Sequence, residues 1–348
     1  MRSEHATPVR PQEQGSAGSA AAVAHPNIAL IKYWGKRDEQ LILPRTDSLS
    51  MTLDIFPTTT RVRLAPGASN DDVTFNGVPA TGEAHRRVIA FLELVRERAG
   101  LPHRAVVETE NTVPTGAGLA SSASGFAALA VAAAGAYGLD PDATALSRLA
   151  RRGSGSASRS VFAGFAVWHA GRGTGTDADL CSYAEPVPVA DLDPALVVAV
   201  VNAGPKAVSS REAMRRTVDT SPLYGAWADS SGDDLAEMRT ALRLGDLDAV
   251  GEIAERNAFG MHATMLAARP AVRYLSSATL TVLDRVLQLR RDGVPAYATM
   301  DAGPNVKVLC HRADADRVAE AVRRAVPDGA AHVAGPGPGA RLLNEDGR

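Results

Sequence analysis

The order of apolar and polar positions divides the chain into short strand-like runs and longer helical ones. Apolar or β-branched residues dominate NIALIKYW (27–34), SLSMTLDIF (48–56) and TTTRVRLA (58–65), which predicts strands. EAHRRVIAFLELVRERAG (83–100) spaces its apolar residues as a helix does and closes on Gly100, a C-cap residue. A strand at RAVVETE, a Gly/Ser-rich loop and an alanine-rich helix over 119–137 follow, the alanines permitting close packing on a sheet. Strands at FAVWHA (165–170) and ALVVAVVNA (195–203) frame the expected boundary between two lobes. Beyond it, helical patterns near 210–217, 233–244, 246–268 and 276–292 precede strands at PAYATMDAG and VKVLCH and a helix at DADRVAEAVRRA. Strands and helices intermix without regular alternation, so an α+β fold is expected rather than a doubly wound sheet.

The 348 residues exceed one typical domain of roughly 100 to 200 residues, and lobes are expected over 21–195 and 196–335. A disordered arm over 1–20 would precede them, because MRSEHATPVRPQEQGSAGSA is polar, small and Pro-bearing, and a tail over 336–348 would follow. The Ala-rich piece after the arm is too short and too weakly apolar for a signal peptide, and no window reaches the roughly 20 apolar residues of a membrane span. A net charge of -2 leaves no electrostatic footprint for nucleic acid or an anionic membrane, so any phosphate binding must be local. Cys181 and Cys310 lack metal-ligand spacing and read as reduced thiols, which suits the cytoplasm.

Four stretches carry candidate chemistry. In AGLASSASG (117–125), Gly116 just before it and Gly118 within it allow positive φ and let backbone N–H groups converge on an anion at the positive end of a helix. Ser121 and Ser122 add hydroxyls for phosphate oxygens or magnesium; neither GxxxxGK[ST] nor GxGxxG is present, and tight helix packing is the alternative. GSGSASRS (153–160) sets Ser154, Ser156, Ser158 and Ser160 around Arg159, whose fork can grip a carboxylate or phosphate; a flexible loop with a solvent-facing arginine is the bland reading. In IALIKYWGKRD, Lys32 and Lys36 would face one side of an extended chain, with Tyr33 and Trp34 between them. ATMDAGPNVKVL places Asp301 at a loop tip, as a general base, a metal ligand or simply an Asx turn. Two Gly/Ser loops in one chain argue for a polyanionic ligand.

Together these stretches resemble the mevalonate diphosphate decarboxylases of the GHMP kinase superfamily. NIALIKYWGKRD, PTGAGLASSASGFAAL, RRGSGSASRSVFAGFAVW, KAVSSREAM, NAFGMHATM and MDAGPN carry the resemblance, from about residue 24 to 309. GLASSAS alone identifies only the superfamily, whereas KYWGK, GSGSASRS and MDAGPN in this order are far more specific. The resemblance implies a two-lobed GHMP-kinase fold: an N-terminal lobe like ribosomal protein S5 domain 2, a ferredoxin-like C-terminal lobe and an active site between them. It implies a homodimer of the mevalonate pathway of isoprenoid biosynthesis, using ATP and Mg²⁺. ATP would phosphorylate the tertiary 3-hydroxyl of mevalonate 5-diphosphate, after which phosphate and carbon dioxide leave and isopentenyl diphosphate remains.

It also implies roles for residues. Pro114, Gly116, Gly118, Leu119, Ala120, Ser121 and Ser122 would cradle the ATP phosphates, with Lys206 a further nucleotide contact and Ser122 and Asp301 near the metal. Asp301, Lys32 and Arg159 would be catalytic, with Arg159 and Ser156 gripping the carboxylate that is lost. Tyr33, Lys36, Ser154, Ser210 and Arg211 would hold the substrate diphosphate. Related kinases commonly carry an aspartate in the loop matching GSGSASRS; none stands at 153–160, so the acidic role falls on Asp301. Asp47 occupies a position where asparagine is expected in many relatives. Action on the 5-monophosphate, a mevalonate 3-kinase and a catalytically silent nucleotide-binding relative stand as alternatives. His262 is expected to be a packed core histidine, and GPGPGARLL (335–343) takes no role from the sequence.

Overall fold

The structure, a computed structural model, describes residues 18–113, 121–201 and 208–344. The chain opens with strands β1 (Ser19–Ala24), β2 (Asn27–Ile31), β3 (Lys36–Asp38), β4 (Leu43–Pro44), β5 (Ser48–Thr52), β6 (Thr58–Ala65), β7 (Asp72–Phe75) and β8 (Val78–Pro79). Helix α1 (Gly82–Ala99), strand β9 (Arg104–Asn111) and helices α2 (Ser121–Ala136), α3 (Ala143–Gly153) and α4 (Ala157–Ser160) follow. Next come β10 (Phe165–Trp168), α5 (Gly175–Cys181), β11 (Ala184–Pro186) and β12 (Pro194–Val200). The second half holds α6 (Ser210–Thr220), α7 (Tyr224–Leu244), α8 (Leu247–Leu266), α9 (Ser277–Arg291), β13 (Ala296–Met300), β14 (Val306–His311), α10 (Ala315–Ala325), β15 (Ala330–Ala334) and β16 (Arg341–Leu342).

Two larger sheets build the first lobe, in the orders β16-β1-β6-β9-β7-β8 and β11-β10-β5-β2, beside a two-stranded one of β3 and β4. The second lobe has a four-stranded antiparallel sheet in the order β13-β14-β12-β15. Numbered within that lobe the spatial order is 2-3-1-4, the ferredoxin-like split arrangement. The α+β, two-lobed expectation therefore holds. Alternation explains the outer sheet, since β6 buries Thr58, Thr60 and Val62 and turns Arg61 and Arg63 outward. α2 is buried along most of its length, because its alanines let β1, β6, α3 and α4 approach closely. Gly100 ends α1 in the left-handed conformation, as the sequence predicts.

A shared core joins the lobes. Ile28 and Leu30 of β2 and Leu49 and Met51 of β5 pack in one cluster with Leu196 and Val198 of β12 and Met238 and Val250 of α7 and α8. Helix α8 touches both β2 and β13, so the ends of those two strands meet beside it.

The expected arm and tail need revision. β1 starts at Ser19 and pairs along its length with β6, so residues 19 and 20 belong to a sheet; residues 1–17 lie outside the described residues. The stretch after residue 335 returns to the first lobe, where Arg341 and Leu342 pair with Val23 and Ala22. Most expected strands run past their true ends: NIALIKYW is a strand only to Ile31, and SLSMTLDIF only to Thr52. Among the described residues no helix is long and apolar enough to cross a membrane.

Candidate active site

β2 ends where the chain must turn, and the turn brings Lys32 inward. Its backbone N–H donates to Asn257 Oδ1 of α8 at 2.8 Å, and its Nζ donates to the Ala29 carbonyl at 2.7 Å and to Asp301 Oδ1 at 2.8 Å. Lys307, buried in β14, approaches the other carboxylate oxygen at 3.3 Å. Asp301 sits just past β13 and keeps 30% of its side chain exposed, whereas Lys32 keeps 1%. Burial alone pushes the Asp301 carboxyl up, but the two ammonium groups outweigh it and hold the group well below the usual carboxylate range. Burial lowers the Lys32 pKa, with Asp301 opposing.

Arg159 lies across the cleft on the short helix α4. Its Nε donates to Ser50 Oγ at 2.9 Å, Nη1 to Ser48 Oγ at 2.5 Å and Nη2 to Asn27 Oδ1 at 3.4 Å. These partners are neutral, so the guanidinium is oriented without being neutralised. Burial lowers it to about 10, and it stays a cation at neutral pH. Its guanidinium also lies 5.8 Å from the ring centre of Trp168, which Tyr33 meets edge-on at 4.7 Å. Gly155 is required here: a Cβ would come within 2.7 Å of Trp168 and 3.0 Å of Tyr33.

Lys32, Asp301, Arg159 and Asn27 line one cleft of about 350 Å³, whose walls carry Lys32, Lys36, Arg87, Arg159 and Arg211 against two carboxylates, Glu83 and Asp301. Five cations facing two anions describe a receptor for a polyanion. Tyr33 contributes a buried hydroxyl without a hydrogen-bond partner. Ser154, Ser156 and Ser210 also line the cleft, and Ser122 Oγ stands 3.2 Å from Ser154 Oγ at its rim. Helix α6 points its N-terminus here, capped by Ser209 accepting from the Glu212 N–H at 3.2 Å. A second cavity of about 310 Å³ shares Arg87 and Ser122 with the first and has Phe75, Val88, Phe126 and Leu129 in its walls.

The sequence-based candidates converge unevenly. Lys32, Tyr33, Lys36, Ser122, Ser154, Ser156, Arg159, Ser210, Arg211 and Asp301 all line the cleft, and Ser121 lines the second cavity. Pro114, Gly116, Gly118, Leu119, Ala120 and Lys206 lie outside the described residues. Lys32 and Lys36 do share one cavity, but the chain between them bends at Gly35, φ 99°, instead of staying extended. Of the four serines around Arg159, Ser158 and Ser160 turn into the core, bonding to the Gly155 and His25 carbonyls. Asp301 is a poor metal ligand in this arrangement, since both its oxygens already face ammonium groups. Among the described residues no cluster of three His, Cys, Asp or Glu side chains could hold a metal.

Sequence reasoning missed Asn27, Ser48, Ser50, Arg87 and Lys307. The signals were present: two serines at period two in an apolar strand, and a lysine inside VKVLC. Asp47 accepts from the Ala170 N–H at 2.7 Å and faces His169 outside the cleft. His262 is buried, as expected of a core histidine, but its Nε2 has no partner.

Residues 24–181 match the family model for the diphosphomevalonate decarboxylase-like N-terminal domain, and 196–335 match that for the mevalonate 5-diphosphate decarboxylase C-terminal domain. A diphosphomevalonate decarboxylase of Aspergillus fumigatus is 38% identical over 328 residues, covering 87% of this chain and 80% of that protein. A phosphomevalonate decarboxylase of Haloferax volcanii is 35% identical, with 87% and 91% covered. The solved complex of MDDEF with MVAPP, AMPPCP and magnesium is 44% identical, with a TM-score of 0.89 over 94% of this chain and 99% of that one. Two matched domains and relatives aligned over most of their length leave one assignment: the chain belongs to the diphosphomevalonate decarboxylase family.

Proposed function

We propose that this enzyme decarboxylates mevalonate 5-diphosphate at the expense of ATP, giving isopentenyl diphosphate, ADP, phosphate and carbon dioxide. The observation that carries the reading is the pairing, in one cleft, of an oriented but unneutralised Arg159 with a carboxylate fixed by Lys32. Arg159 and Ser156 hold the carboxylate that is lost. Lys36, Tyr33, Ser154, Ser210 and Arg211 take the diphosphate, with the N-terminus of α6 adding its dipole.

Asp301 orients the tertiary 3-hydroxyl toward the phosphoryl donor. Its low pKa makes it a weak base, which suffices because phosphoryl transfer passes through a loose transition state that asks little of a base. Once the 3-phosphate departs, positive charge builds at C3, and the ionised Asp301 stabilises it while the electrons of the breaking bond to the carboxylate form the alkene. Ser122, with the loop before it and Lys206, serves the ATP phosphates, and the apolar second cavity takes the base of the nucleotide. Ser122 and the phosphates suit magnesium, which keeps several waters and takes few protein ligands; the ion would neutralise charge on the transferring group. In this reading Asp301 is not a ligand to it.

The protein works in the cytoplasm as a homodimer on small molecules, without a nucleic-acid or membrane partner. Its free thiols Cys181 and Cys310 suit a reducing compartment, and sedimentation would check the dimer, which rests on the family resemblance.

Purified protein given ATP, Mg²⁺ and, in parallel, mevalonate, its 5-phosphate or its 5-diphosphate tests the reading by ADP and carbon dioxide release. Equal release with the diphosphate alone supports it; ADP without carbon dioxide would mean a 3-kinase and withdraw the role of Arg159. Turnover with the monophosphate is the second reading, suggested by the Haloferax relative.

A further inference from the structure

GPGPGARLL carries the chain from β15 back to β16, with Pro336 bridging Leu53 on the way. Gly335 and Gly337 are buried while Pro336 and Pro338 face out, an alternation in which the missing proline N–H groups are not needed for bonds to the protein. Gly335 N–H donates to Asp54 Oδ1 at 2.8 Å, and its carbonyl accepts from Asp54 at 3.1 Å. Gly337 N–H donates to the Thr52 carbonyl at 2.7 Å, and its carbonyl accepts from Gly164 at 2.9 Å. Ala340 N–H donates to the Ser160 carbonyl at 3.1 Å. The contact is too close for side chains: a Cβ on Gly337 would lie 1.9 Å from the Leu53 carbonyl oxygen, and one on Gly339 2.5 Å from that of Val161.

What this stretch clasps is the segment that carries the carboxylate grip. Ser160 follows Arg159 directly. Its hydroxyl donates to the His25 carbonyl at 2.8 Å and accepts from Asn27 Nδ2 at 2.8 Å, and Asn27 Oδ1 in turn faces Arg159. β5 holds the same loop through Thr52, whose N–H meets the Gly164 carbonyl at 2.7 Å and whose Oγ1 meets that of Phe162 at 2.9 Å. β5 also supplies Ser48 and Ser50 to the guanidinium. The loop 160–164, the end of β5 and the returning chain are thus bonded to one another, with the Ser160 carbonyl taken by Ala340.

We infer that residues 335–340 are a positioning strap for Arg159, through which the chain that leaves the second lobe sets the grip on the substrate carboxylate in the first. The inference rests on the proposed reaction. Displacing a binding group by even about 1 Å can cost on the order of a hundredfold in rate, so the strap acts on the hold of the substrate carboxylate and on its loss without touching substrate.

The test uses the full-length enzyme with Gly339→Ala, which wedges the strap off Val161, and Ala340→Pro, which removes the N–H given to Ser160. Gly138→Ala, at a left-handed position after α2, serves as a control for destabilisation alone. Wild-type turnover of mevalonate 5-diphosphate is measured first; its absence would fail the proposed function and not the strap. Each strap variant should raise KM for the diphosphate about tenfold, leave KM for ATP within about twofold, and release less than one carbon dioxide per ADP. If Gly339→Ala does not fold, Ala340→Pro carries the test, and both are read at a temperature where circular dichroism shows native protein. Unchanged KM and product ratio in a folded strap variant, or the same changes in Gly138→Ala, would overturn the inference.

Discussion

Lys32 Nζ and Asp301 Oδ1 stand 2.8 Å apart although 269 residues separate them in sequence. The pair closes the seam between the lobes, because one partner ends a strand of the first and the other ends a strand of the second. A buried ion pair of this kind is weak support for stability in itself, but removing one partner leaves an uncompensated charge and costs about 3 kcal/mol or more. Asp301→Asn should therefore lower both turnover and thermal stability. Turnover should fall by about 10² to 10⁴ with substrate affinity within a few fold, checked by single-turnover kinetics and calorimetry. Adding Lys32→Met should restore part of the stability and none of the activity; near-normal turnover in Asp301→Asn would remove it from the mechanism.

Arg159 depends on neutral partners for its aim. In the double variant Ser48→Ala, Ser50→Ala the guanidinium keeps its charge and loses its direction, so kcat/KM for the diphosphate should fall roughly 10- to 100-fold. Arg159→Gln should cost more and weaken carbon dioxide release in particular. Steady-state kinetics in which the serine pair has no effect would mean that Trp168 and Asn27 suffice to aim the group.

Glu83 of α1 and Arg211 of α6 meet at 2.7 Å in the cleft wall, both substantially exposed. An incoming diphosphate competes with Glu83 for Arg211. Glu83→Gln should lower KM for the diphosphate about two- to fivefold at low salt, with the gain shrinking near 1 M salt as the charges are screened. A rise in KM at low salt would show that Glu83 orients Arg211 instead of occupying it.

His262 gives the molecule an acid-side weakness. Burial, with Lys32 adding to it, lowers the ring from 6.5 to about 4, so below pH 6.5 the unfolded chain takes up a proton that the folded one refuses. The sign follows: stability is full above about pH 6.5 and falls as the pH drops toward 4, by up to about 3 kcal/mol from this group. His262→Gln should flatten the difference in Tm between pH 7 and pH 4.5 relative to wild type. An equal slope in both proteins would assign the acid sensitivity to other groups.

Much of the cleft could be read from the chain because its chemistry is local. Lys32, Tyr33, Lys36, Ser154, Ser156, Arg159 and Asp301 occur in short polar interruptions of apolar runs, and a run that breaks its own pattern draws attention. The supporting residues do not. Ser48 and Ser50 gain meaning only when β5 lies beside β10 and α4, and Lys307 only when β14 brings it under Asp301. Boundaries failed for a related reason: NIALIKYW is apolar to Trp34, but the strand stops at Ile31, and the next residue, Lys32, donates to Asn257 and Asp301 of the second half of the chain. GPGPGARLL was opaque because glycine and proline signal a turn or linker as readily as a close approach of two backbones.

β16 places residue 342 beside residue 22, at one edge of the first lobe's outer sheet. The edge of that sheet is therefore completed by contacts some 320 residues apart in the chain, which is the slowest kind of pairing to close, and an unpaired β1 edge is what a folding intermediate would expose.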